Sequence, residues 1–132
     1  MKKSNRNGKE TPKELKHQCD ELWSKCVRAR DKSCRMCNSD YKLSAHHIIE
    51  RSHMATRHDL ENSLTLCWRC HSFQKFQSQS FALGIINLIG LDEFNRLYKK
   101  SRRIYKPNIQ DLRDTREFLK RKLKEFQSDY GR

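Results

Sequence analysis

Cys34-Arg35-Met36-Cys37, Ala45-His46-His47-Ile48 and Leu66-Cys67-Trp68-Arg69-Cys70-His71 are three fragments of one stretch, residues 34–71, whose reading decides the fold. Thiolates are soft ligands that suit zinc. Two Cys-x-x-Cys pairs separated by residues 38–66 can converge on one ion. In a reducing compartment such pairs read as metal ligands before they read as disulfides. Four thiolates complete a tetrahedral zinc, so Cys34, Cys37, Cys67 and Cys70 leave no position for a histidine. His46, His47 and His71 therefore belong to a second site, open where the first is closed.

Lys42 to Ile49 can run as an extended strand, on which the adjacent residues His46 and His47 point to opposite faces. One of the pair can bind a metal while the other faces substrate. His71 follows the last cysteine at the start of a helix and can meet His46 across the seam between strand and helix. Asn62, in the intervening loop, can hydrogen-bond backbone or imidazole and so fix a tautomer. Two neutral imidazoles leave several positions of a divalent cation open to phosphate oxygens and water. An open metal beside an uncoordinated histidine suits phosphodiester hydrolysis.

Outward from this stretch the chain is mostly helical. Thr11-Pro12-Lys13-Glu14 is a helix start, with Thr as cap, Pro at the first position and Glu at the third. Leu15, Cys19, Leu22, Trp23, Cys26 and Val27 recur at helical spacing, which predicts a helix over 12–30 with Cys19 and Cys26 in the core. Residues 33–49 read as a β-hairpin, residues 50–63 as a polar loop, and Cys67 to about Gln77 as a helix. Two short helices follow over 81–89 and 92–100, divided at Gly90-Leu91, and a last basic helix over about 108–126. There is no internal repeat. Residues 1–11 form a flexible basic arm, 12–78 the core with its leading helix, and 79–132 a helical basic extension.

The net charge of +13, from 29 Lys and Arg against 16 Asp and Glu, points to an anionic partner. With 35% hydrophobic residues over 132 positions the core is thin, and a metal staple is plausible help. No apolar run approaches the ~20 residues that span a bilayer; the longest, Phe81 to Leu91, is broken by Gly84, Asn87 and Gly90. The polar start Met1-Lys2-Lys3-Ser4 reads as no secretory signal, so the expected location is the cytoplasm. Arg51, Arg57, Lys75, Arg116, Lys120 and Lys124 are candidates for phosphate contacts.

At Cys34-x-x-Cys37, Ala45-His46-His47-Ile48, Asn62 and Leu66-Cys67-x-x-Cys70-His71 the chain resembles the HNH (ββα-metal) endonucleases, over about residues 33–76. It also looks like the phage NinG/Rap recombination nucleases, through Leu22-Trp23, Val27-Arg28-Ala29-Arg30-Asp31, Arg57-x-Asp59 and the Lys-rich final helix. The resemblance implies an α+β fold: a ββα-metal (His-Me finger) core with a four-cysteine zinc clamp, flanked by an N-terminal helix and C-terminal helices. It implies a DNA endonuclease in which His46 and His71 hold a catalytic Mg²⁺ or Mn²⁺, His47 is the general base, Asn62 orients it, and the cysteines hold structural Zn²⁺. DNA is then the partner, a membrane is not, and a homodimer is open. The alternatives are a non-catalytic zinc module that binds nucleic acid, and an adaptor whose helical tail binds protein.

Overall fold

A computed structural model describes residues 9–128, apart from the side chains of Lys75 and Phe76. Most of the expected arm, residues 1–8, and the Lys75 side chain therefore lie outside the described residues. The elements run α1 (Pro12–Asp31), β1 (Ser44–His47), α2 (Met54–Arg57), β2 (Ser63–Leu66), α3 (Trp68–Phe76), α4 (Ser78–Ile89), α5 (Leu91–Ser101) and α6 (Ile109–Ser128). The fold is thus α+β, helices around a small antiparallel sheet.

α1 begins at a capping box. The Glu14 amide donates to Thr11 Oγ1 at 3.1 Å, and the Thr11 amide donates to the Glu14 carboxylate at 3.0 Å. Two orphan donors are satisfied reciprocally, worth about 1 kcal/mol. The helix closes at Lys32, left-handed at φ 66°, whose amide returns to the Arg28 carbonyl. Its buried stripe is Leu15, Cys19, Trp23, Cys26 and Val27.

That stripe meets α6. The Cys19 thiol donates to the Leu112 carbonyl at 3.4 Å, and the Cys26 thiol to the Leu119 carbonyl at 3.2 Å. Both pairs advance together along their helices, so α1 and α6 run in the same direction. The helices at the two ends of the described chain thus share one core, in which Cys19, Trp23, Cys26, Val27 and Leu119 are joined by Leu22, Ala45, Leu60, Leu123 and Phe126. Cys19 and Cys26 are structural; burial pushes both thiols up to about 11.

A second core lies across the sheet: Cys34, Leu64, Leu66, Cys67, Phe81 and Ile85, with Met36, Leu43, Ile48, Cys70 and Ile89 packed on it. α4 approaches the first cysteine knuckle closely, since a Cβ at Gly84 would stand 3.1 Å from the Met36 methyl. At Gly90, φ 92° ends α4 and lets α5 leave at once, a backbone state that suits glycine.

The strand pairing differs from the expected hairpin. β1 pairs antiparallel not within 33–49 but with β2, matching Ser44 with Leu66 and His47 with Ser63. The segment before β1 is spent on the knuckle, where Asn38 and Lys42 take positive φ of 68° and 48°. The expected loop over 50–63 holds the short α2 and reaches the first residue of β2. β2 is buried on both faces. Leu64 and Leu66 enter the second core, while the Thr65 hydroxyl donates to the Val27 carbonyl of α1 at 3.1 Å.

Candidate active site

The four cysteines come together. Their sulfur atoms all lie within 4.8 Å of one another, and Cys37 and Cys67 are 3.5 Å apart. A tetrahedral zinc at about 2.3 Å from each sulfur requires sulfurs about 3.8 Å apart, so the donor set fits zinc in both type and spacing. Cys34 and Cys67 are buried and Cys37 is exposed. Burial acts to raise the Cys34 thiol, but backbone hydrogen bonds from Cys67, Cys37 and Met36 outweigh it and hold it at about 7. Cys67 also caps α3, its sulfur accepting the Cys70 amide at 3.5 Å.

One residue beyond this cluster lies a cleft of about 820 Å³, lined by His46, His47 and His71 together with Asp20, Trp23, Arg51 and others. His46 leaves β1 toward α3 and α4. Its ring meets His71 at 5.8 Å and the edge of Phe81 at 5.3 Å, centroid to centroid. Burial, reinforced by the two neighbouring imidazoles, pushes His46 down to about 4, so it is neutral at physiological pH. The two imidazole planes stand at 70° to one another. Among the described residues no further His, Cys, Asp or Glu completes a compact group with them, the four cysteines forming the compact cluster of that kind.

His47 leaves β1 on the other face. It stacks flat on Trp23, with centroids 3.8 Å apart and planes at 9°, and its Nε2 lies 2.9 Å from the Arg57 carbonyl. A carbonyl only accepts, so Nε2 carries the hydrogen and Nδ1 carries the lone pair. Burial holds His47 below the ordinary imidazole range, against the opposing pull of the Arg57 carbonyl and Asp20. The result is a neutral imidazole, fixed in tautomer and orientation.

Asn62 is wholly buried and acts on backbone, not on an imidazole. Its Oδ1 accepts the Ile49 amide at 2.7 Å, and its Nδ2 donates to the carbonyls of Ile49 and Thr56 at 2.9 and 3.1 Å. It ties the end of β1 to α2, and so sets the Arg57 carbonyl that holds His47.

Two of the candidate arginines are held in ion pairs. Arg57 grips Asp20 with Nε at 2.9 Å and its terminal nitrogen at 2.6 Å, which explains why the guanidinium is only 19% exposed. Arg116 bridges α6 to α1, donating to Glu10 at 2.5 Å and Gln18 at 2.8 Å. Arg51 stays largely open beside the cleft, 3.3 Å from Asp20. Lys120, 3.4 Å from Glu117, and Lys124 are exposed on α6.

Asp20 escaped the sequence reading. It accepts from Arg57, Arg51 and His58, the last at 2.7 Å. Burial alone would raise its carboxyl, but hydrogen bonds from His58 and Arg57 hold it far below the usual carboxylate range. The available signal was an acid beside Cys19 and three residues before Trp23, at the edge of a buried stripe. Trp23 itself was legible as core, but not as the platform under His47.

Residues 34–75 match the family model of the HNH endonucleases. The matched segment holds both Cys-x-x-Cys pairs, both strands, all three cleft histidines and Asn62. No curated protein and no solved structure matches the chain. The likeness suggests a nuclease or nucleic-acid-binding role, with DNA as the partner and zinc on the cysteines. No described helix is long and apolar enough to cross a membrane.

Proposed function

We propose that the protein is a cytoplasmic, metal-dependent endonuclease that hydrolyses DNA phosphodiester bonds in this cleft. The observation that carries the reading is His47. It is neutral, pinned through Nε2 to the Arg57 carbonyl and flat on Trp23, with its Nδ1 lone pair left as a base, and it lines the same cleft as His46 and His71. A structural histidine needs no such pairing of a fixed tautomer with two further imidazoles in an open cleft.

In the mechanism, His47 Nδ1 accepts a proton from water as that water attacks phosphorus in line. A divalent Mg²⁺ or Mn²⁺ ion, held by His46 and His71, would neutralise charge on the scissile phosphate and the departing 3′ oxygen. The bond to the 3′ oxygen breaks, leaving 5′-phosphate and 3′-hydroxyl ends. Arg51, Lys120 and Lys124 remain to attract the backbone. Asp20 and Asn62 are positioning residues, acting on His47 through Arg57 and the α2 segment. Zinc on the four cysteines fixes the start of α3, and with it His71. The likeness to the phage NinG/Rap nucleases makes recombination or branched-DNA processing the setting to examine first.

The test is conversion of supercoiled plasmid to nicked and linear forms, with Mg²⁺ or Mn²⁺ added or omitted, followed by analysis of the ends. Cation-dependent nicking with ligatable 5′-phosphate ends is expected. Tight DNA binding by zinc-loaded protein without cleavage under any divalent cation would instead establish the non-catalytic zinc module.

A further inference from the structure

Trp68 is 61% exposed, whereas the chain's other tryptophan, Trp23, is 3% exposed. Tryptophan is among the more buried residue types on average. An indole in water at a structurally fixed position therefore calls for an explanation. Trp68 is fixed: it is the first residue of α3, directly after Cys67, whose sulfur caps that helix from within the cysteine cluster.

Three features around it narrow the occupant. Trp68 stands three residues before His71, so the two lie on the same side of α3, about 5–6 Å apart at Cβ. His71 and, three residues further, Gln74 line the cleft, which places Trp68 one turn outside the site where a phosphate would sit. Its sequence neighbour Arg69 is exposed. The other knuckle, joined to this one through the sulfurs, carries exposed Arg35 and Lys42, and Lys42 lies over the 60% exposed ring of Tyr41. Arg35 lies 3.8 Å from the Asp31 carboxylate, and the knuckle itself carries one exposed acid, Asp40. An exposed aromatic ring with a cation next to it in sequence, one turn from a phosphate site, matches how proteins hold unpaired nucleotides: the base stacks on the ring while cations track the backbone.

We propose that Trp68 is a base-stacking residue, taking the face of an unpaired nucleobase next to the phosphate in the cleft. The preferred substrate strand is then single-stranded or locally unpaired at that point. This deepens the proposed function and rests on its assignment of the cleft.

The experiment uses tryptophan emission of the zinc-loaded full chain without added Mg²⁺ or Mn²⁺. It is titrated with a single-stranded oligonucleotide and, separately, with a blunt duplex containing the same strand. Because Trp23 is buried under His47, acrylamide-quenchable emission reports Trp68. The single strand should quench that emission and shield it from acrylamide, and the duplex should do so far less. Trp68→Ala, at an exposed position, should keep its zinc and lose about 5- to 150-fold in affinity for the single strand, the range expected for one base–aromatic stack. Its duplex affinity should stay within about twofold. Unchanged acrylamide access to Trp68 at saturating single strand, or equal losses on both nucleic acids, would overturn the proposal. Those results would leave cleavage at the histidines intact, whereas shielding of Trp68 in a protein that never cuts would count against the cleft chemistry alone.

Discussion

The cysteine cluster and the histidine cleft are built from the same short stretch and the same kind of residue, yet they are opposites. The cluster is closed: four sulfurs within 4.8 Å of one another complete their own ligand set. The cleft is open: two imidazoles meet in a T-shape with centroids 5.8 Å apart, and a third leaves the strand on the other face and lies flat on Trp23. A closed site can only stabilise, because nothing else can reach the metal. An open site is unsatisfied by design, and its geometry has to be held from outside. Asp20, Arg57 and Asn62 do that holding from α1 and the α2 segment, while the cluster holds His71 from the other end.

The contrast can be broken most forcefully at the cluster. Cys34→Ser should abolish stoichiometric zinc and unfold the segment around β1, β2 and α3, since binding free energy at a structural zinc is folding free energy. Metal analysis and a thermal melt check this, with Cys19→Ser keeping its zinc as the control. Equal zinc loss in both variants would break the assignment of the ligands.

The next effect is on positioning. Asp20→Asn removes the charge that anchors Arg57, His58 and Arg51 while keeping the shape. Cleavage should fall about 10- to 100-fold, the usual scale for groups that orient site residues, chiefly in kcat, with zinc content unchanged. A purely structural role would show instead as a lower Tm with normal kcat in the folded fraction.

Asn62→Ala should act on both regions of the comparison at once. It leaves the Ile49 amide and carbonyl without their partner and removes one of the donors to the Thr56 carbonyl, at a cost on the order of 3 kcal/mol. Thermal denaturation should register that loss, and cleavage should fall with it because the Arg57 carbonyl is released. Retained stability with lost cleavage would mean that Asn62 touches substrate directly.

The smallest effects separate two kinds of basic residue on α6. Lys124→Gln should reduce the salt dependence of DNA binding by about one counterion, with stability unchanged. Arg116→Gln should lower the Tm modestly by cutting the bridge to Glu10 and Gln18, with little change in that slope. Salt-slope measurements on both variants sort them.

What was legible in the chain follows the same division. The cluster could be read because its ligands come in two local pairs, and spacing alone says what Cys-x-x-Cys does. The helices could be read because caps and stripes are local too, from Thr11-Pro12 to the break at Gly90. β2 was missed: four residues, Ser63 to Leu66, carry too short an alternation to stand out beside the polar stretch before them. The partners of the cleft were missed for a different reason. Asp20 meets Arg57, and Trp23 meets His47, only after α1 folds against the sheet, and no spacing encodes that. The ion pairs of Arg57 with Asp20 and of Arg116 with Glu10 were out of reach for the same reason, because a sequence shows a charge without its partner.

The measurement that bears most directly on the cleft is cleavage by His47→Ala, with zinc content and DNA affinity measured on the same preparation. The expected result is a loss of about 10²–10⁴-fold in cleavage rate, the contribution of a positioned general base, with zinc and binding nearly intact and no recovery at higher Mg²⁺ or Mn²⁺. Cleavage by His47→Ala at the wild-type rate would contradict the assignment of His47 as the base.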